Sequence, residues 1–192
     1  MEPEWSDFCK ITSGRQPREI LLKALGSVRH KGKALDIGAG ALNETRYLLG
    51  QGFEVTAVDS EPVSAEVAAR IQDEKLHFEA VSYEDFKFRK DSYDLAAALY
   101  ALPFTPPEHF KAVVQKLLGS IKTGGVFVGQ FFGPDDEWND GSSRINFVSG
   151  SDVKDMFKPF EILSFEEEKG PGTTATGGTK YWHIFHVIAK KR

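Results

Sequence analysis

The chain reads as an α/β fold: a three-layer, Rossmann-like, seven-stranded, mostly parallel sheet with an antiparallel C-terminal strand. Three observations predict it. Apolar runs of strand length alternate with segments of helical period. The first run, Ala34-Leu35-Asp36-Ile37, opens directly onto Gly38-Ala39-Gly40. The chain closes on two strand-like segments with no helix between them, which implies an antiparallel hairpin at a sheet edge.

Each element follows from its own pattern. Residues 16 to 29 place Ile20, Leu21, Ala24, Leu25 and Val28 on one helical face, with Pro17 in the first turn and Gly26 weakening the end. A strand spans 33 to 37, and Asn43 is placed to cap a helix ending near Gly50. A second strand covers about 53 to 58. Pro62 opens the next helix, and a short strand follows from 76 to 80. Apart from Asp94, Tyr93 to Tyr100 is an apolar run, as expected for a central strand buried on both faces. A helix from Glu108 to Ser120 carries the stripe Phe110, Val113, Val114, Leu117 and Leu118. The turn Lys122-Thr123-Gly124-Gly125 leads into a strand from 126 to 130.

The last sixty or so residues differ in character. Residues 131 to 150 show no period and contain the turn Gly133-Pro134-Asp135. A short helix near 151 to 157 precedes a strand from about 160 to 167. Gly170 to Gly178 reads as a flexible loop, and a final strand runs from 180 to 190.

Composition narrows the class. A chain of 192 residues has length for one core, so 1–192 is read as a single domain, with 1–30 as an N-terminal helical lid and 131–150 and 168–179 as acceptor-side loops. Hydrophobic residues at 41% and charged residues at 27% are ordinary globular usage. A net charge of −4 with scattered basic residues argues against a nucleic-acid partner. The single cysteine, Cys9, excludes an internal disulfide and a zinc thiolate cluster. An N-terminus opening with acids, and no apolar run of membrane length, make a cytoplasmic protein without a membrane partner the expectation. No metal is expected either: Asp135 and Asp136 adjoin in a turn, where neighbouring acids are usually solvated.

The acids decide what the glycine turn holds. A pyrophosphate needs bare backbone N–H groups and no nearby negative charge, which Asp36 violates. An acid there pairs instead with the ammonium of an amino-acid moiety. Asp59, at the end of Glu54-Val55-Thr56-Ala57-Val58, is placed to accept both hydroxyls of a ribose. An amino-acid end, a ribose and no phosphate describe S-adenosylmethionine.

On these residues the segment resembles the first motif of class I methyltransferases, and the element order extends the resemblance over nearly the whole chain. One departure is Leu42, where the family often has a third glycine. The resemblance implies an S-adenosylmethionine-dependent enzyme. It places Asp36, Gly38, Ala39 and Gly40 at the methionine end and Asp59 at the ribose, with Ser60 beside the adenosine. Ser82 falls where an acid usually meets the adenine amine, and Tyr83 is the candidate ring contact. Leu99 and Tyr100, at the end of the fourth strand, are expected beside the sulfonium, Tyr100 either lining the active site or belonging to the core. That strand end is not Asn/Asp-Pro-Pro-Tyr and lacks Pro-Cys, which disfavours amino methylation of adenine or glutamine and removes the usual nucleophile for cytosine ring methylation. Arg15-Gln16-Pro17, and the closing run Lys180 to Lys190, are similar to tellurite-resistance-type methyltransferases, a group that methylates chalcogen oxyanions.

The remaining candidates are catalytic. His183 is a candidate general base or anion donor, and equally reads as a hydrogen-bonded core histidine. Arg15 is a candidate for the cofactor carboxylate or an anionic acceptor. The expected acceptor is a small molecule methylated by in-line displacement, by a monomer or homodimer. Two other readings stand beside it. One is an NAD(P)-dependent oxidoreductase, against which the full Gly-x-Gly-x-x-Gly is missing at Asn43. The other is a non-catalytic S-adenosylmethionine-binding regulatory protein.

Overall fold

The computed structural model describes residues 5–141 and 144–192. Two short helices, α1 (Trp5–Thr12) and α2 (Glu19–Leu25), precede β1 (Lys33–Ile37), α3 (Asn43–Gly50), β2 (Glu54–Val58), α4 (Pro62–Ala68) and β3 (Leu76–Glu79). Then come β4 (Tyr93–Ala98), α5 (Pro107–Ser120), β5 (Ile121–Phe132), α6 (Gly150–Met156), β6 (Phe160–Thr173) and β7 (Thr179–Lys191).

All seven strands form one sheet in the order β3-β2-β1-β4-β5-β7-β6. Strands β1 to β5 pair in parallel. β7 enters between β5 and β6 and runs antiparallel to both. The expected fold class therefore holds, with β7 as the reversed strand. The order reverses direction between β1 and β4, so their carboxyl ends flank the crevice where such sheets bind ligands.

Helices cover both faces. On one, Phe110, Val113, Val114 and Leu117 of α5 pack with Leu35, Ile37, Ala96, Ala98 and Phe127. On the other, Leu21 and Ala24 of α2 and Leu48 and Leu49 of α3 pack with Ala34, Val55, Leu95 and Ala97. Burial on both faces is why β1 and β4 read as largely apolar runs.

Four sequence expectations change. The helix at 16–29 shortens to Glu19–Leu25, with Arg18 in extended conformation before it. Asn43 does not cap α3: Leu42 precedes the helix with φ +57°, while the Asn43 amide accepts from Gly14 N at 3.0 Å and donates to Thr12 O at 2.8 Å. It thus fastens the end of α1 to the start of α3. The flexible loop at 170–178 is mostly strand, because β6 and β7 pair through Pro171↔Tyr181 and Gly172↔Lys180 to Thr173↔Thr179. The acceptor-side loop expected over 168–179 contracts accordingly to the tight turn at 174–178. Ser142 and Ser143, inside the segment read as 131–150, lie outside the described residues.

Candidate cofactor and acceptor site

The site begins where β1 stops. Gly38 and Gly40 adopt φ +70° and +51°, a region open to glycine. The amides of Gly38 and Ala39 donate to Val58 O at 2.9 and 3.2 Å, tying the turn to the end of β2. A Cβ at Gly38 would stand 2.5 Å from the Ala101 methyl and 2.9 Å from the Tyr83 hydroxyl oxygen. The turn therefore brings bare backbone up against the tip of β4 and Tyr83. Leu42 takes the left-handed conformation that a third glycine would adopt freely, and full burial of its side chain offsets the strain.

The two acids stand on either side. Asp59 is 7% exposed; one oxygen accepts from Gly40 N at 2.8 Å and the other from Glu61 N at 2.9 Å. Asp36 is 3% exposed and accepts from the Thr45 hydroxyl at 2.6 Å. Burial, and then the neighbouring Glu44 carboxylate, push its pKa from the usual 3.8 to about 7. A buried acid this close to neutrality gains from a cation brought to it. Tyr83 lies over the turn, and burial followed by the Asp59 charge raises its hydroxyl well above the ordinary value.

Arg18 was not among the sequence candidates, yet it enters the site. Its backbone amide and guanidinium both donate to Glu44 Oε1, at 3.2 and 2.8 Å, and the guanidinium lies 5.4 Å from the Tyr100 ring centroid. Arg15 points elsewhere, donating to Ala175 O at 3.2 Å in the β6–β7 turn from an exposed position. The signal was available: Arg18 immediately precedes a helix whose apolar face is clear, so its side chain projects at the sheet's carboxyl edge.

Tyr100 has φ +59°, a conformation costly for a bulky side chain and found where function requires it. Its amide is held by Gln130 Oε1 at 3.1 Å, and its ring is half-buried beside Phe132 and Trp182. Burial and the Glu168 charge raise its hydroxyl pKa. The Leu99 side chain belongs to the core cluster with Leu21, Ala24 and Leu95. Ser60 is exposed beside Asp59, and Ser82 donates to Asp85 at 3.0 Å.

His183 is 2% exposed with both ring nitrogens engaged. Nδ1 accepts from Asp135 N at 3.0 Å, which leaves the proton on Nε2 to reach Glu167 Oε1 at 3.0 Å. The ring thereby pins the turn after β5 instead of presenting a free nitrogen. That turn carries the larger surprise. Asp135 is exposed and paired with Lys169 at 2.9 Å, whereas Asp136 is buried and ion-paired with the buried Lys180. Asp136 also accepts from the amides of Trp138 and His183, each at 3.1 Å. Lys180 Nζ stands 4.0 Å from the ring centroids of both Trp138 and Trp182. Among the described residues no group of three or more His, Cys, Asp and Glu is arranged to hold a metal.

α1 packs against α4 beside the glycine turn. Cys9 is buried with its sulfur 3.8 Å from the Ser64 hydroxyl of α4, and it is the side chain a Cβ added at Gly40 would meet, at 3.8 Å. Trp5 meets Phe104 edge-on at 4.8 Å.

A family model described as a methyltransferase domain matches residues 34–125, which span β1 through the turn inside β5. The match covers just under half of the chain and is a likeness to that domain. The match supports the enzyme class of a methyltransferase. No curated protein sequence matches the chain. The methyltransferase fold is seen in solved structures at low identity. A Burkholderia thailandensis 1,6-didemethyltoxoflavin-N1-methyltransferase, with 1,6-didemethyltoxoflavin and S-adenosylhomocysteine bound, superposes with a TM-score of 0.68 at 20% identity, over 91% of this chain and 77% of that one. TehB from Haemophilus influenzae gives 0.73 at 16%, over 91% of this chain and 62% of that one. A Haloferax volcanii methyltransferase, in complex with the activator Trm112, gives 0.72 at 15%, over 100% and 99%. The residues present fit S-adenosylmethionine: a turn that admits no Cβ at Gly38 and two buried acids beside it.

Proposed function

We propose that this methyltransferase transfers a methyl group to a small-molecule acceptor by in-line displacement. The observation that carries the reading is the convergence of Asp36, Asp59 and the Gly38–Gly40 turn on one crevice, with Tyr100 adjoining it. Ala101 presses on Gly38, so the residue before it stands at the boundary between cofactor and acceptor.

In this reading Asp36 faces the ammonium of the methionine end and Asp59 the ribose hydroxyls. Gly38, Ala39 and Gly40 bring backbone alongside, Tyr83 lies against the adenosine, and Ser60 and Ser82 border it. When bound, S-adenosylmethionine would supply a methyl on a sulfonium, activated for in-line displacement by the acceptor atom. Tyr100 orients the acceptor, and α1 excludes water. Small-molecule acceptors are supported by the short segment between β5 and α6, which leaves room for no recognition domain there.

Calorimetry with S-adenosylmethionine, S-adenosylhomocysteine and NAD(H) tests this. Micromolar binding of the first two, lost in Asp59→Ala, is expected; binding of NAD(H) alone would overturn it.

A further inference from the structure

Resting on the methyltransferase reading of the site, we infer that its acceptor is a planar aromatic or heteroaromatic ring without positive charge, stacked on a ring wall beside Tyr100. The wall is assembled from separate segments at the carboxyl edge of the sheet. Tyr100 follows β4, Phe132 ends β5, Trp138 lies in the turn beyond, and Trp182 is near the start of the reversed strand β7. Phe132 is the hub, with ring centroids 5.8 Å from Phe104, 6.0 Å from Trp138, 5.8 Å from Trp182 and 6.3 Å from Tyr100. Trp5 of α1 extends the wall through Phe104.

Phe132 is fully buried and is the structural base. Tyr100, Phe104, Trp138 and Trp182 are half-buried, so each keeps part of its ring outside the core. Flat apolar walls with a few polar groups are what small-molecule pockets offer a flat ligand.

The charges then choose among ligands. Aromatic walls often serve organic cations. Here that role is taken by the protein's own side chains: Lys180 sits between Trp138 and Trp182, and the Arg18 guanidinium covers Tyr100. A cationic acceptor would meet like charge at both places. Both cations are also spoken for, Arg18 by Glu44 and Lys180 by Asp136, so neither is free to hold a small oxyanion. What the wall still offers is ring surface beside one buried and one half-buried cation, suited to a neutral or anionic π system such as a hydroxylated heterocycle.

All three tryptophans, Trp5, Trp138 and Trp182, belong to this assembly, so their emission reports its occupancy. The enzyme is loaded with S-adenosylhomocysteine and titrated with three probe sets, followed by calorimetry and by tryptophan emission. The sets are a panel of hydroxylated mono- and bicyclic heteroaromatic rings, choline as the cation, and selenite as the oxyanion. The expected result is that rings from the panel bind and perturb the emission. Trp182→Leu should weaken them by about tenfold, Trp182→Phe should recover most of the loss, and affinity for S-adenosylhomocysteine should stay within about twofold. Binding of choline or selenite that Trp182→Leu leaves untouched, with no ring bound, would overturn the inference, as would a loaded enzyme that binds no ring. Failure of the wild type to bind S-adenosylhomocysteine would strike the methyltransferase reading instead. The emission titration without cofactor would still decide whether rings bind.

Discussion

The backbone amide of Gly40 donates to the Asp59 carboxylate at 2.8 Å, so the acid closing β2 clamps the glycine turn that closes β1. A residue read as a ribose acceptor is thus also part of the turn's own scaffold. Its second oxygen, bonded to Glu61 N, sets the entry into α4.

Asp59→Ala should therefore do two things at once. Two amides lose their acceptor, and unfolding free energy should fall by about 1–3 kcal/mol. Affinity for S-adenosylmethionine should fall more than tenfold, roughly 1.4 kcal/mol or above. Denaturant unfolding reads the first, calorimetry the second. Asp59→Asn keeps one acceptor oxygen, so its stability should fall less than its affinity.

Gly38→Ala tests the close approach. The added methyl would overlap Ala101 and press on the Tyr83 hydroxyl from a backbone with φ +70°. The expected cost is about 1–3 kcal/mol in stability with cofactor binding abolished. Gly52→Ala is the control: it also has positive φ, +97°, but nothing within 4 Å of the new methyl, so it should lose stability without losing the cofactor.

Asp36 makes a prediction with pH. Its folded pKa near 7 exceeds the unfolded value of about 3.8, so between those limits the folded state holds the extra proton. Its contribution therefore favours folding at low pH and declines as pH rises from about 4 to about 7, flat above that. Asp36→Asn should remove that slope from urea midpoints. Cofactor binding should run the other way, because an ammonium beside Asp36 favours the carboxylate. Affinity should climb towards pH 7, with proton uptake by buffer on binding at pH 6, read by calorimetry in two buffers of different ionisation enthalpy.

How far the sequence carried depended on what each residue needed from distant partners. β1, β2 and β4 were legible because their two buried faces write themselves as largely apolar runs, and the acids at their ends interrupt those runs visibly. Gly170-Pro171-Gly172-Thr173 reads as a loop by every local rule, yet it is strand because β7 supplies a backbone partner for it. α1 escaped because its eight residues are half-exposed and their packing is against α4 and Phe104, not a sheet. Asp136 was misjudged for the same reason. An acid in a turn looks solvated until a lysine forty-four positions later arrives beside it.

The Asp136–Lys180 pair should be costly to halve and cheap to remove whole. Lys180→Met leaves a buried carboxylate with two amide donors and no counter-charge, and should cost about 3–5 kcal/mol. Adding Asp136→Asn should restore most of that, since the neutral amide oxygen can still accept from Trp138 N or His183 N. Thermal unfolding of the single and double variants gives the coupling directly.

Cys9, the chain's single thiol, sits shut between α4 and the glycine turn, its pKa raised chiefly by burial. An alkylating reagent can reach it only when α1 lifts, and lifting α1 is also what uncovers the turn. The rate of alkylation therefore counts how often the molecule opens, a clock wired into the chain without any added label. Saturating S-adenosylhomocysteine should slow that clock if the ligand stays under α1, and the factor of slowing measures how much of the binding free energy is spent on keeping the helix down.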